Sequence, residues 1–203
     1  MLFRSRVPRA LLPAEPEAHG LVALMEIQAS RLRARVGASG EPVLLLDQDR
    51  ARWDRLLIGR GLAALARAEA LGDASGPYAL QAAIAACHAR ARTAAETDWE
   101  EIARLYRELG HVAPSPVVEL NRAVAISMAS GPAAALPIVD AVGAEPSLRD
   151  YHLLPAVRAD LLAKLGRHAE AQAEFQRAAA LTQNEAERSV LLRRAAETQR
   201  ESP

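Results

Sequence analysis

Residues 159–178 read ADLLAKLGRHAEAQAEFQRA, and this stretch decides the fold class that the sequence predicts. Ala and Leu dominate it, and both side chains favour helix. Gly166 follows an apolar run, in the position where a glycine commonly ends a helix. Ala171 lies five residues after Gly166, Phe175 four further on and Ala178 three further, the spacing of one buried helix face. The stretch therefore predicts a helix, a Leu-Gly turn and a second helix.

The same spacing resembles the tetratricopeptide repeat (TPR), a helix–turn–helix unit that recurs about every 34 residues. Val139 lies 36 residues before Phe175, and Tyr106 lies 33 residues before Val139. Ala135 precedes Val139 by four residues, as Ala171 precedes Phe175. A small residue there lets the two helices of a pair cross closely. We therefore predict an all-α, TPR-like solenoid of helical hairpins. The alternative is an ordinary helical bundle in which the spacing is coincidental.

Helix-starting and helix-ending residues divide the chain into about nine predicted helices. Residues 1–12 are ragged, and we expect a fragment opening there. Residues 13–72 are predicted to form N-terminal helices and a junction, and residues 77–183 three degenerate TPR-like pairs. Residues 184–203 are predicted to form a capping helix and a tail.

Three polar residues predict where individual helices begin. Thr97 and Glu100 have the spacing of a capping box, in which a Thr hydroxyl accepts from a backbone amide of the first turn. Ser115 stands before Pro116, which fits a cap followed by a proline at the first helical position. Asn184 fits the same capping role before the last helix.

Composition and charge exclude several classes of protein. Lys and Arg total 25 and Asp and Glu total 25, so a strongly basic nucleic-acid binder is not indicated. A hydrophobic content of 50% argues against disorder. Cys87 is the only cysteine, which excludes a disulfide scaffold and favours a cytoplasmic location. We find neither a transmembrane stretch nor a secretory signal, and we expect no membrane partner.

The residue types of catalytic and cofactor sites occur only in unconvincing contexts. Gly59 and Gly61 mimic part of a dinucleotide motif, but no strand is predicted before them, and easing of a helix contact is the simpler interpretation. Cys87 and His88 point about 100° apart on a helix, which favours a core cysteine beside a partly buried histidine over a thiol nucleophile. We therefore expect no enzymatic activity, no cofactor and no metal.

The densest polar run of the sequence stands beside a tryptophan. It comprises Asp47, Gln48, Asp49, Arg50, Trp53 and Asp54. One interpretation is a solvated cap and loop. The other is an interface or inter-domain contact, and these six residues are our candidate interface.

Five segments together are similar to one known region. They read DQDRARWDRLLIGRGL (47–62), GPYALQAAIAACHA (76–89), TDWEEIARLY (97–106), SPVVELNRAVAISMASGPAAAL (115–136) and YHLLPAVRADLLAKLGRHAEA (151–171). In unbroken order, they resemble the C-terminal, TPR-like region of bacterial extracytoplasmic-function sigma factors of the sigma-70 class. The regions that melt the −10 element and read the −35 element should precede residue 10, and neither is present. No promoter-contact residue of the family can therefore be assigned to a position in this chain. Binding to promoter DNA is expected only through those regions.

The resemblance implies a regulatory, protein-interaction role in transcription initiation. Its expected partners are the sigma factor's own N-terminal regions or the RNA polymerase core. We predict that residues 77–183 form a concave groove that accepts a peptide or helix. Residues 47–54 are predicted to pack at the junction with the N-terminal regions. The alternative function is a free-standing TPR-like scaffold that binds an unrelated protein.

Overall fold

A computed structural model describes residues 14–38, 40–72 and 74–200, and within these residues the protein is all-α, as predicted. The nine α-helices of this part are α1 Pro16–Ser30, α2 Arg55–Ala70, α3 Pro77–Arg90, α4 Trp99–Val112, α5 Pro116–Ser130, α6 Pro132–Val142, α7 Leu153–Lys164, α8 His168–Leu181 and α9 Glu185–Arg200. No named strand occurs there, and one isolated bridge pairs Val36 with Pro42. The predicted ragged opening, residues 1–12, lies outside the described residues.

The helices belong to two compact units, which divide in the sequence after Pro114. Helices α1 to α4 form the first unit, and α5 to α9 form the second. The first of the three predicted helical pairs, α3 and α4, therefore lies in the first unit and the other two pairs in the second. No helix of the described residues has the length and apolar character needed to cross a bilayer.

In the first unit, α1 packs against both α2 and α3 through very small side chains. A Cβ added at Gly61 would lie 2.6 Å from Ile27 Cγ1 and 3.1 Å from the carbonyl oxygen of Ala23, so α2 approaches α1 closely only because residue 61 is glycine. A Cβ at Gly20 would likewise lie 2.6 Å from the backbone nitrogen of Ala79 in α3. The interpretation of the two glycines as easing a helix contact is confirmed for Gly61 and is wrong for Gly59, where an added Cβ would enter open space.

The predicted capping box at Thr97 is wrong by one residue. Helix α4 is capped by Asp98, whose Oδ1 accepts from the backbone amide of Glu101 at 2.9 Å. The patterns Thr97 to Glu100 and Asp98 to Glu101 overlap in the sequence, and both satisfy the capping rule. Thr97 is buried, and its hydroxyl accepts a hydrogen bond from Arg50 instead.

In the second unit, each helix packs against the next one in the sequence, which fits a solenoid-like arrangement of helix pairs. Ser115 caps α5 by accepting from the amide of Val117 at 3.3 Å, and Asn184 caps α9 by accepting from the amide of Ala186 at 3.0 Å. Both predicted caps are confirmed. Gly131 separates α5 from α6 at φ +91°, a backbone region that only glycine adopts without strain.

The residues predicted to pack the repeats lie mostly in the interior. Those fully or almost fully buried in the second unit are Ala135, Val139, Ala171, Phe175 and Ala178. Gly166 lies in the turn between α7 and α8, at φ +73°. Tyr106, in the first unit, is only partly buried and lines a pocket. Helical pairing is thus present, and its assignment as TPR remains a prediction.

Candidate functional site

The candidate site is built around a buried arginine of the first unit. Arg50 lies in a short 3₁₀ helix, Arg50–Arg52, between α1 and α2, and is only 6% exposed. Its Nη1 donates hydrogen bonds to the carbonyl oxygens of His88 and, at 3.0 Å, of Ala91. Its Nη2 donates to Thr97 Oγ1 at 3.1 Å. Arg50 therefore ties the segment before α2 to the end of α3 and the start of α4. We call this contact the Arg50 anchor.

The anchor satisfies a requirement that α3 itself creates. The last carbonyl groups of a helix have no partner inside the helix and carry partial negative charge. The planar guanidinium offers several donors in fixed directions and suits two neighbouring carbonyl oxygens. Burial lowers the pKa of Arg50, and the carboxylate of Glu96 opposes that shift. Charge complementarity with the α3 C-terminus is thus the reason that this arginine can be buried.

The guanidinium groups of Arg50 and Arg31 both lie over the ring of Trp53. The Cζ of Arg50 lies 4.9 Å from the ring centroid, and the Cζ of Arg31 lies 5.7 Å from it. Both distances are within the range of cation–π attraction. The backbone amide of Asp54 donates to the carbonyl oxygen of Ser30 at 2.9 Å, which joins the end of α1 to the start of α2. The segment that contains Arg50 and Trp53 is therefore bonded to the α3–α4 connection through Arg50 and to the end of α1 through Asp54.

The six candidate interface residues divide into two groups. Gln48, Arg50 and Trp53 are buried within the unit, whereas Asp47, Asp49 and Asp54 are exposed. Asp49 Oδ1 accepts from the amide of Ala51 at 2.9 Å, and Asp54 caps α2 by accepting from Leu56 at 2.9 Å. The solvated-cap interpretation therefore fits Asp49 and Asp54 but not Arg50. An interface role of the exposed part remains a prediction.

A pocket of about 230 Å³ lies beside the anchor, between α1, α3, α4 and the turn at Leu45. Five polar side chains line it: Gln28 of α1, Arg31 directly after α1, Gln81 and His88 of α3, and Tyr106 of α4. We call it the His88 pocket. Sequence reasoning missed Arg31, because an arginine directly after a helix carries no pattern that distinguishes it from a solvated charge.

His88 and Cys87 are both buried, and burial moves their pKa values in opposite directions. Burial, with the charges of Arg31 and Arg50, lowers the pKa of His88 to about 4, so the ring is neutral at pH 7. Burial and then the Glu101 carboxylate raise the pKa of Cys87 to about 11. A thiol with that pKa stays protonated, which favours the core-cysteine interpretation. The His88 ring also meets the edge of Trp99, 5.1 Å between centroids.

Two arginines of the second unit, Arg158 and Arg194, lie at contacts between helices. Arg158 of α7 donates from Nε to Asp140 Oδ1 at 2.8 Å and from Nη1 to Glu174 Oε1 at 3.1 Å, which links three successive helices. Arg194 of α9 lies with its Cζ 4.5 Å from the Phe175 centroid. Over the part of the chain that the structure describes, no three His, Cys, Asp or Glu side chains converge as metal ligands would.

The donor side of the anchor lies in a segment that matches a family model. Residues 2–69 match DUF6596, a family of unknown function. The chain is also 49% identical over 187 residues to the uncharacterized protein R00370 of Rhizobium meliloti (strain 1021). That alignment covers 92% of this chain but only 44% of the relative, so the chain spans less than half of the relative's length. No solved structure matches the chain.

The DUF6596 match contains one side of the anchor and not the other. Arg50 and Trp53 fall within residues 2–69, whereas the acceptors at His88, Ala91 and Thr97 lie beyond them. Helix α1 also buries part of its surface against α3. The matched segment therefore completes its core with residues that follow it.

Proposed function

We propose that this chain is the C-terminal regulatory, protein-interaction region of a bacterial extracytoplasmic-function sigma factor, acting in transcription initiation. It contacts the sigma-70 regions or the RNA polymerase core. The observation that carries the proposal is the match of residues 2–69 to DUF6596, a domain often found C-terminal to sigma-70 regions in sigma factors. The greater length of the Rhizobium meliloti relative is compatible with further regions beside this one.

The surface beside the Arg50 anchor supports a protein partner. Leu44 is 56% exposed and Leu56 is 70% exposed, and these two leucines flank the anchored segment in the sequence. We propose that the two leucines belong to one apolar contact surface, since clustered exposed apolar side chains mark protein-binding surfaces. Asp47 and Asp49 add exposed carboxylates between them, which suit a partner with basic groups.

The charge balance favours protein over nucleic acid as the partner. With 25 basic and 25 acidic side chains, the chain has no net charge with which to attract phosphates. Aromatic residues make up only 3%, and both tryptophans contact other side chains of the first unit, so stacking of exposed bases is not favoured.

A binding measurement with matched variants tests the proposal. The immobilised 203-residue chain is exposed to RNA polymerase core and, separately, to a fragment carrying the sigma-70 regions that precede a DUF6596 domain. We expect saturable binding to at least one of them. Leu44→Ser and Leu56→Ser should each weaken it by about tenfold, as a lost apolar contact of about 1.4 kcal/mol does. Leu192→Ser, 48% exposed in the second unit, is the control.

Two results would count against the proposal. Binding to neither the polymerase core nor the sigma-70 regions would leave the free-standing scaffold as the better hypothesis. Equal losses for Leu56→Ser and Leu192→Ser would remove the surface beside the anchor from the binding site, even if binding itself were observed.

A further inference from the structure

The His88 pocket contains a cation without an anionic partner. The Arg31 guanidinium donates to Gln28 Oε1, and among the described residues no carboxylate lies in ion-pair contact with it. Burial lowers the pKa of Arg31 to about 10, and the positive charges of Arg35 and Arg50 contribute to the same shift. Arg31 therefore remains charged at neutral pH, in a place where three guanidinium groups repel one another.

The same pocket contains an imidazole with an unsatisfied nitrogen. His88 is 8% exposed, and its Nδ1 has no hydrogen-bond partner. A buried polar atom without a partner is uncommon, because leaving it unbonded costs free energy. Tyr106 also lines the pocket, and both a neutral imidazole and a tyrosine hydroxyl can donate or accept a hydrogen bond. The pocket thus offers a positive charge and hydrogen-bonding groups to whatever enters it.

Apart from Gln28 and Gln81, the rest of the pocket wall is apolar, and the pocket is small. Leu24, Leu45 and Ile84 line it from α1, the 3₁₀ turn and α3. Its volume of about 230 Å³ is below the range of roughly 300 to 1,000 Å³ in which drug-sized ligands bind. A ligand that fills it has a short hydrocarbon part and one polar end.

We propose that the His88 pocket binds a small organic acid, with its carboxylate against Arg31 and His88 and its hydrocarbon part against Leu24, Leu45 and Ile84. A planar carboxylate accepts two parallel hydrogen bonds from a guanidinium, and its charge reduces the repulsion among the neighbouring arginines. The apolar wall distinguishes such a ligand from inorganic phosphate, which has nothing to place there. This inference is independent of the proposed role in transcription.

Both tryptophans of the chain contact residues of this pocket, so we expect their fluorescence to change when a ligand binds there. Trp99 contacts the His88 ring, and Trp53 lies beneath the Arg31 guanidinium. The whole chain is titrated with butyrate, valerate and hexanoate, and tryptophan fluorescence and the thermal midpoint are recorded. Valeramide, which has nearly the same shape but no charge, and inorganic phosphate serve as control ligands. We expect saturable fluorescence changes and a raised midpoint with the acids but not with the amide.

Two variants and one control variant locate the binding. Arg31→Gln should weaken valerate binding by about tenfold or more, because it removes the charge on the pocket wall. Leu45→Phe should narrow the pocket and weaken hexanoate more than butyrate. Arg67→Gln changes an exposed arginine of α2 and should leave every affinity unchanged. Far-ultraviolet circular dichroism checks that each variant is folded.

The results that would overturn the inference are distinct. They are the absence of saturation with all three acids, equal binding of valerate and valeramide, or an unchanged valerate affinity in Arg31→Gln. If phosphate bound as tightly as valerate, and if Leu45→Phe did not change that affinity, the protein would be binding anions at an arginine without an organic-acid pocket. None of these results depends on whether the chain binds the polymerase core or sigma-70 regions.

Discussion

The Nη1 of Arg50 donates a 3.0 Å hydrogen bond to the carbonyl oxygen of Ala91, which lies 41 residues further along the chain. The bond joins the turn before α2 to the residue that follows α3. Because the donor is charged and the contact is buried, it exceeds an ordinary neutral hydrogen bond in strength. Arg50 thus holds together segments of the first unit that are distant in the sequence.

Replacing Arg50 tests this dependence. Arg50→Met keeps much of the length of the side chain but leaves the carbonyls of His88 and Ala91 without their donor. We expect the free energy of unfolding, measured in urea, to fall by roughly 3 kcal/mol. Arg52→Met removes an exposed arginine of the same 3₁₀ helix and should change it by less than about 0.5 kcal/mol. Equal effects of the two substitutions would contradict the anchor.

Thr97 marks the point at which sequence reasoning stops being sufficient. The helix there is predicted correctly, because Asp98 and Thr97 both precede acidic residues at the capping distance. The choice between the two caps depends on Arg50, which lies 47 residues away and takes the Thr97 hydroxyl. Local patterns are therefore accurate for Ser115 and Asn184, where no distant side chain competes, and fail where one does.

Burial of the anchor was equally inaccessible to local patterns. The run from Asp47 to Asp54 reads as solvated in the sequence, since five of its eight residues carry charge. Its arginine can be buried only because the end of α3 supplies carbonyl oxygens, and that acceptor set exists only in three dimensions. The unusual density of polar residues beside Trp53 was the one signal that singled out this segment.

Two glycines of α2 should respond oppositely to alanine. At Gly61 the new Cβ would lie 2.6 Å from Ile27 Cγ1, and α1 and α2 would have to separate or repack. We expect Gly61→Ala to lower the free energy of unfolding by roughly 1 to 3 kcal/mol. At Gly59 no atom lies within 4 Å, so Gly59→Ala should raise it by roughly 0.5 to 1 kcal/mol through helix propensity. Chemical denaturation of both variants measures the two changes in the free energy of unfolding. Changes of the same sign and size would contradict the close packing of α1 against α2 at Gly61.

The stability of the first unit should depend on pH through His88. Its pKa is about 4 in the folded protein, against an ordinary value of 6.5, because burial and the charges of Arg31 and Arg50 disfavour the proton. The unfolded chain therefore binds a proton first as the pH falls. The contribution of His88 to the free energy of unfolding is fully present above pH 6.5. It is lost as the pH falls toward 4, by roughly 3 kcal/mol in total.

The contribution of His88 is isolated by comparison with a second histidine. The loss of stability between pH 6.5 and 4 should be smaller in His88→Asn than in the unaltered chain, when both are unfolded in urea at each pH. His111→Asn, at an exposed position on α4, should keep the full dependence. A histidine signal followed by nuclear magnetic resonance that titrates near 6.5 at position 88 would contradict the buried, neutral ring.

Phe175 carries the corresponding test in the second unit. It is 1% exposed and belongs to the cluster that joins α7, α8 and α9 through Ala159, Leu191 and Ala195. Phe175→Ala should lower the free energy of unfolding by roughly 3 to 5 kcal/mol, and Phe175→Leu by less, since a leucine refills part of the space. In the Phe175→Ala variant, hydrogen exchange should show the amides of α9 losing protection before those of α5. The reason is that α9 packs directly against α8, which contains residue 175, whereas α5 is three helices earlier in the sequence. Equal loss of protection in α5 and α9 would mean that the unit unfolds as one cooperative bundle, and stepwise release from α9 would support the solenoid-like arrangement, in which each helix depends mainly on its neighbours.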